Sequence, residues 1–341
     1  MKSIPVEQLF FSKQNDFLNT YLPKHKNGSE ATQATYQRSM VVFRSYINAE
    51  KHIPTNKFRF EDCTYDILLD FRNYLHDSLG QAESTANNRL AAIKSYVNYV
   101  AARDITKQQF AFAVGQVPFY SVPRVMQPVI DDTDALAALL SMPPNTKKGL
   151  RDKVIMSILY DGGIRVKELV SLKVRSFDLN DDNISYTLIG KGNVERIDVL
   201  DVRTSALIRQ YLDEFHPKMT LTEPFIYTEI NGARHQMSIR NVQKLIKRYA
   251  DKTRKDHKLP DSVTPHTFRR TRGTLLYRDG VPLEAIASKL GHANTQVTRQ
   301  HYTSTSDRQM REMASKRAKV IPDEVQEWPD DEEEIDKLLG L

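Results

Sequence analysis

The sequence predicts a mainly α protein with a small β-sheet, arranged as two domains. Three observations carry that prediction. Helical stripes of apolar residues fill the first hundred positions, a stretch with three prolines interrupts them at 113–130, and a single β-like segment at 183–200 breaks a second helical series. A length of 341 residues suits about two domains on the usual 100–200 residues each. Either half is long enough to bury its own core.

The elements follow in order. In "TYQRSMVVFRSYI", Tyr36, Met40, Phe43 and Ile47 recur at helical spacing and form one stripe. "TYDILLDFRNYLHDSLG" repeats the pattern with Ile67, Phe71, Tyr74 and Leu75, with Thr64 as N-cap and Gly80 closing the helix. "STANNRLAAIKSYVNYV" places Leu90, Ile93, Val97 and Val100 inside, with Arg89, Lys94 and Asn98 on other faces. In "AVGQVPFYSVPRVMQPVI" each proline blocks a helix at itself and at the residue before it, so this stretch reads as an extended linker. "DTDALAALLSM" and "KKGLRDKVIMSILYDGG" read as helices, the second ended by Gly162-Gly163. "NISYTLIGKGNVERIDVL" has two runs rich in Ile, Val, Tyr and Thr around "GKGN", a hairpin signal. Helical texture returns from 238 to 320, with Pro282 at a helix start. The expected layout is a helical domain at 1–115, a linker at 116–130, a second domain at 131–320 and a tail at 321–341.

Composition narrows the function. No apolar run is long enough to span a bilayer, and the N-terminus lacks the pattern of a signal peptide. The single cysteine, Cys63, excludes an internal disulfide and a cysteine-zinc site; a reducing, cytoplasmic setting is expected. Nine acids against one lysine give residues 321–341 a net charge of −8, so residues 1–320 carry +14 of a chain whose total is +6. Such a body attracts polyanions, nucleic acid first among them, although charge alone does not name the partner.

Four segments hold candidate chemistry. In "GGIRVKELVSL", Arg165 follows a double glycine near a helix start, where its planar fork and free N–H groups can meet an anion. Taken by itself, the segment is better explained by a plain Arg165–Glu168 surface pair, worth a few tenths of a kcal/mol. Lys191 sits at the hairpin tip, either as solubilising charge or as a proton donor to a leaving oxygen; "GKG" lacks the pattern of a nucleotide-binding loop. In "TPHTFRRTRGTLL", His266 and Arg269 share a face near a helix N-terminus, an anion site or simply a basic face. In "KLGHANTQVTRQHYTS", His292 follows Gly291 and Tyr302 comes ten residues later. Taken together, these groups supply what a phenol needs to attack a phosphodiester: cations for charge gathering on non-bridging oxygens, an acid for the leaving alkoxide, and a field that favours a nucleophile whose ordinary pKa is near 10.

In these four segments and their order the chain resembles the tyrosine recombinases, the family of phage integrases, Xer-type resolvases and transposon integrases. The N-terminal helices resemble that family's SAM-like core-site-binding bundle, and the likeness spans about residues 10–315. It implies that Tyr302 is the nucleophile, Arg165 and Arg269 the arginine clamp, and Lys191 the general acid. It further implies that His266 and His292 contact the scissile phosphate and that Glu168 supports the site. A 3′-phosphotyrosine intermediate, double-stranded DNA as partner, a homotetramer on synapsed sites (monomer or dimer without DNA), and no metal, ATP or other cofactor follow from the same likeness. Service to a mobile element, possible accessory proteins, a nucleoid location and no added arm-site domain complete the expectation. Two departures stand out: Arg270 occupies a position where the family often has His, and the His292-to-Tyr302 step is ten residues where many members have nine. A type IB topoisomerase, or a DNA-binding regulator with an inactive site, are the rival readings.

Overall fold

The computed structural model describes residues 4–25, 30–123, 127–189 and 195–291, together with 331, 336–337 and 340 in the tail. Two compact units divide the chain, Met1–Val125 and Met126–Leu341.

The first unit is built on helices α1 (Glu30–Ala49), α2 (Tyr65–Asn73), α3 (Glu83–Ala101) and α4 (Gln108–Gly115). The stripe expected on α1 is buried at Met40, Phe43 and Ile47. Thr64 caps α2 by accepting from the Ile67 N–H at 3.3 Å. On α2 Leu68, not Ile67, is fully buried beside Phe71. The residues ahead of α1 differ from expectation. They form short helical turns that drive Phe10, Phe17 and Leu22 into the same core, where Phe10 packs edge-on against Tyr96 with ring centroids 5.2 Å apart.

Pro118 and Pro123 prevent a helix, yet the backbone at Pro118 and Tyr120 is held in place. Arg72 donates to the Pro118 carbonyl at 3.0 Å, and Asn87 makes a two-way amide bond with the Tyr120 backbone. In the second unit the Ile130 N–H donates to the Thr271 hydroxyl at 2.9 Å and Ile130 is buried.

That unit contains α5 (Thr133–Ser141), α6 (Lys147–Asp161), α7 (Val166–Ser171), β1 (Phe177–Asp178), β2 (Ser185–Ile189), β3 (Glu195–Val199), α8 (Val202–Phe215), β4 (Tyr227–Ile230), β5 (Ala233–Gln236), α9 (Ile239–Thr253), α10 (Pro265–Arg278) and α11 (Leu283–Leu290). Helix α6 runs through the centre: Val154, Ile155, Met156, Ile158 and Leu159 are all 0 % exposed, so nearly every face of it is covered. Of its two buried acids, Asp152 and Asp161, the first is met by Arg151 and Arg248, each at 2.9 Å, and by the Tyr249 hydroxyl at 3.0 Å. The antiparallel sheet has the order β1-β2-β3, and β4-β5 form a separate hairpin. The expected hairpin at 183–200 is the β2-β3 pair; its turn, 190–194, lies outside the described residues. On β3 the alternation is inverted: Ile197 and Val199 face solvent, 73 % and 51 % exposed, while Arg196 and Asp198 turn inward. Lys289 of α11 reaches Asp198 at 2.9 Å, which ties this strand to that helix.

Candidate active site

Helix α6 ends at Gly162-Gly163, and the chain turns at once into α7, with Arg165 as its N-cap residue. Gly163 has φ of +57°, and a Cβ there would lie 2.5 Å from the Leu290 side chain, so only glycine lets the two helix ends approach this closely. Glu168, one turn into α7, accepts from the Arg165 N–H and from the Arg165 guanidinium, both at 2.8 Å. The capping bond is thereby also an ion pair. The Arg165–Glu168 pair expected from sequence exists, but Glu168 is buried rather than displayed on a surface.

Arg165 extends its other Nη to the Gly291 carbonyl at 3.1 Å. Arg269, on α10 and only 5 % exposed, donates to the Gly163 carbonyl at 2.6 Å and to the Leu290 carbonyl. Two guanidiniums from positions 104 residues apart thus meet consecutive carbonyls at the C-terminal end of α11, where the helix dipole is negative. A buried cation is costly unless hydrogen-bonded; here the backbone supplies the acceptors and fixes both forks in advance.

Helix α10 begins with a reciprocal Thr264–Thr267 cap and Pro265 in its first turn, which sets His266 beside this pair. Partial burial, then the positive charges of Arg270, Arg269 and Arg165, hold the His266 imidazole below its ordinary value of 6.5. The residue keeps a solvent-exposed face, so the three neighbouring cations are the more telling feature. The structure therefore brings together Arg165, Glu168, His266 and Arg269. Lys191, His292 and Tyr302 lie outside the described residues.

One site residue was missed in the sequence. Arg196, 17 % exposed at its side chain, donates to the second oxygen of Glu168 at 3.1 Å. It sat in an alternating strand, where nothing local marks an inward arginine. Among the described residues no cluster of His, Cys, Asp or Glu could hold a metal, and no helix is long and apolar enough to cross a membrane.

The phage integrase family matches residues 132–309, and the phage integrase SAM-like domain matches residues 14–114. The chain belongs to the phage integrase family, the tyrosine recombinases. Members are enzymes that cleave and rejoin DNA strands. Tyrosine recombinase XerC of Staphylococcus aureus is 27 % identical over 302 residues, covering 88 % of this chain and 94 % of the relative. XerC of Staphylococcus epidermidis is 26 % identical over 292 residues, 86 % and 92 % of the two chains. Among solved structures, XerH bound to its difH substrate superposes with a TM-score of 0.65 at 18 % identity, covering 87 % of this chain and 83 % of that one. The Tn1549 transposon integrase with circular-intermediate DNA gives 0.63 at 19 %, covering 92 % and 100 %. Both share the fold, a helical SAM-like domain followed by a mixed α/β domain.

Proposed function

We propose that this chain is a site-specific recombinase that breaks and rejoins duplex DNA through a 3′-phosphotyrosine at Tyr302. The carrying observation is the convergence of Arg165 and Arg269, with His266 beside them, on the helix end whose next residue in sequence is His292. In the proposed reaction the Tyr302 phenolate oxygen attacks the scissile phosphorus, and the bond to the 5′ oxygen breaks on the opposite side. Arg165 and Arg269 neutralise charge gathering on the non-bridging oxygens. His266 and His292 hydrogen-bond the same group, and Lys191 gives the departing 5′ oxygen its proton. Glu168 holds Arg165 in place. The bond energy stays in the phosphotyrosine, so attack by a 5′-hydroxyl reseals the strand without a nucleotide.

Duplex DNA as the partner is supported by the +14 charge of residues 1–320 and by the relatives described as bound to recombination-site DNA. The assignment extends to a core-site-binding domain at 1–115, a linker at 116–130 and a catalytic domain at 131–320. It also includes a synaptic homotetramer and service to a mobile element at the nucleoid. The tail at 321–341 docks on a neighbouring subunit through "IDKLLGL" while its acids temper DNA binding; a truncation with unchanged assembly and activity would retire that part.

A nicked suicide duplex resolved on a denaturing gel tests the chemistry. Wild type is expected to give a covalent band that Tyr302→Phe lacks; a shift in native gels with no covalent band would instead support a regulator. Plasmid relaxation without two-site exchange would support a topoisomerase.

A further inference from the structure

Arg196 stands at a junction that the reaction as described does not use. It lies on β3, opposite Leu188 of β2, with its side chain turned away from solvent. One Nη donates to Glu168, whose carboxylate is thereby shared between two guanidiniums, those of Arg196 and Arg165. The other Nη fills the space beside Gly291, where a Cβ would lie 1.5 Å away. Its Nε is buried with no hydrogen-bond partner among the described residues, a cost accepted in holding the head of the side chain at this spot. The strand is fastened at the same end by Asp198, which takes the Lys289 ammonium.

From this we infer that Arg196 is a positioning residue for strand cleavage: it fixes Glu168 between two cations and so sets where the Arg165 guanidinium points. The inference rests on the recombinase reading. Two effects follow from the geometry. With Arg196 present, Glu168 cannot swing away from the α7 N-terminus, so Arg165 keeps its bonds to Glu168 and to the Gly291 carbonyl together. The shared carboxylate also leaves Arg165 with more of its positive charge for the phosphate, because Arg196 answers part of the negative charge on Glu168.

The test is single-turnover cleavage of a suicide duplex by the full chain, with DNA affinity measured alongside. Arg196→Ala is expected to bind DNA within about twofold of wild type and to cleave about tenfold to a hundredfold more slowly, the scale on which misplaced groups act. A scissile methylphosphonate, which lacks one charged non-bridging oxygen, relaxes the need for a well-aimed cation, so the defect should shrink on that substrate. In a Glu168→Gln background, Arg196→Ala should add much less than it does alone, since it acts through Glu168. Arg196→Lys keeps the charge but cannot reach both contacts; it should cleave at an intermediate rate, and it carries the same readings if the alanine variant fails to fold. Equal defects on phosphate and methylphosphonate, or full additivity with Glu168→Gln, would overturn the inference. A wild-type rate in Arg196→Ala would do so too while leaving the recombinase reading intact. Absence of any covalent product with the wild-type chain would remove both.

Discussion

Replacing Gly291 by alanine should do damage in two separable parts. Gly291 closes α11 in the left-handed region, with φ of 62° and ψ of 47°. Placing an L side chain there costs about 1–2 kcal/mol. The new Cβ would also fall 1.5 Å from one Nη of Arg196 and 2.7 Å from its Cζ, so the guanidinium must move. Moving it breaks the 3.1 Å bond to Glu168, made between side chains only 17 % and 10 % exposed. A charge-assisted bond in such a place is worth about 1.5–3 kcal/mol, and so little exposure leaves modest screening. The whole change should therefore cost about 2.5–5 kcal/mol. In a unit of this size that lowers the melting temperature by about 2–4 °C per kcal/mol. Thermal unfolding of wild type, Gly291→Ala, Arg196→Ala and the double variant separates the parts. In the Arg196→Ala background only the backbone cost of about 1–2 kcal/mol should remain. If Gly291→Ala costs the same in both backgrounds, the close approach of Arg196 to this turn is wrong.

Arg269→Lys puts a single ammonium where a fork now reaches the Gly163 and Leu290 carbonyls; covalent-adduct formation should fall by about a hundredfold or more, as read on the suicide duplex. His266 is held below 6.5 by its surroundings, and a bound phosphate would raise it again, so DNA binding should take up protons and tighten as pH falls through that window. Competition binding from pH 5 to 8 should show this slope in wild type and its loss in His266→Gln. Asp152→Ala strands Arg151 and the Tyr249 hydroxyl around a fully buried site and should cost about 3–5 kcal/mol, seen as a lower urea midpoint.

The helices were largely legible because their information is local. Met40, Phe43 and Ile47 repeat at a period that only a helix buries on one face, Thr64 is a short polar residue ahead of an apolar run, and Gly162-Gly163 stops α6 as expected. Local reading failed where pairing across long separations decides. Phe10 and Phe17 lie in a short stretch that breaks into several turns rather than one periodic helix, and they enter the first core because Tyr96 and Phe58 receive them. The β4-β5 hairpin did carry a signal: Asn231-Gly232, both at positive φ, is a favoured two-residue turn. On β3 the pattern itself misleads, since Ile197 and Val199 would be assigned to the core and Arg196 to solvent. The partner of Arg196, Glu168, is 28 residues away and belongs to another element. Likewise the residue types at Arg165, His266 and Arg269 were readable, but the support that the two arginines share at the end of α11 was not.

That support alters how the resting protein tolerates its own charge. The peptide oxygens of Leu290 and Gly291 serve as built-in stand-ins for an anion, so the cationic centre stays assembled without borrowing an ion from solution. Exchange of buffer salts should leave its shape alone even while salt weakens attraction for a polyanion. Organisation and affinity, often entangled in such centres, here answer to different parts of the molecule.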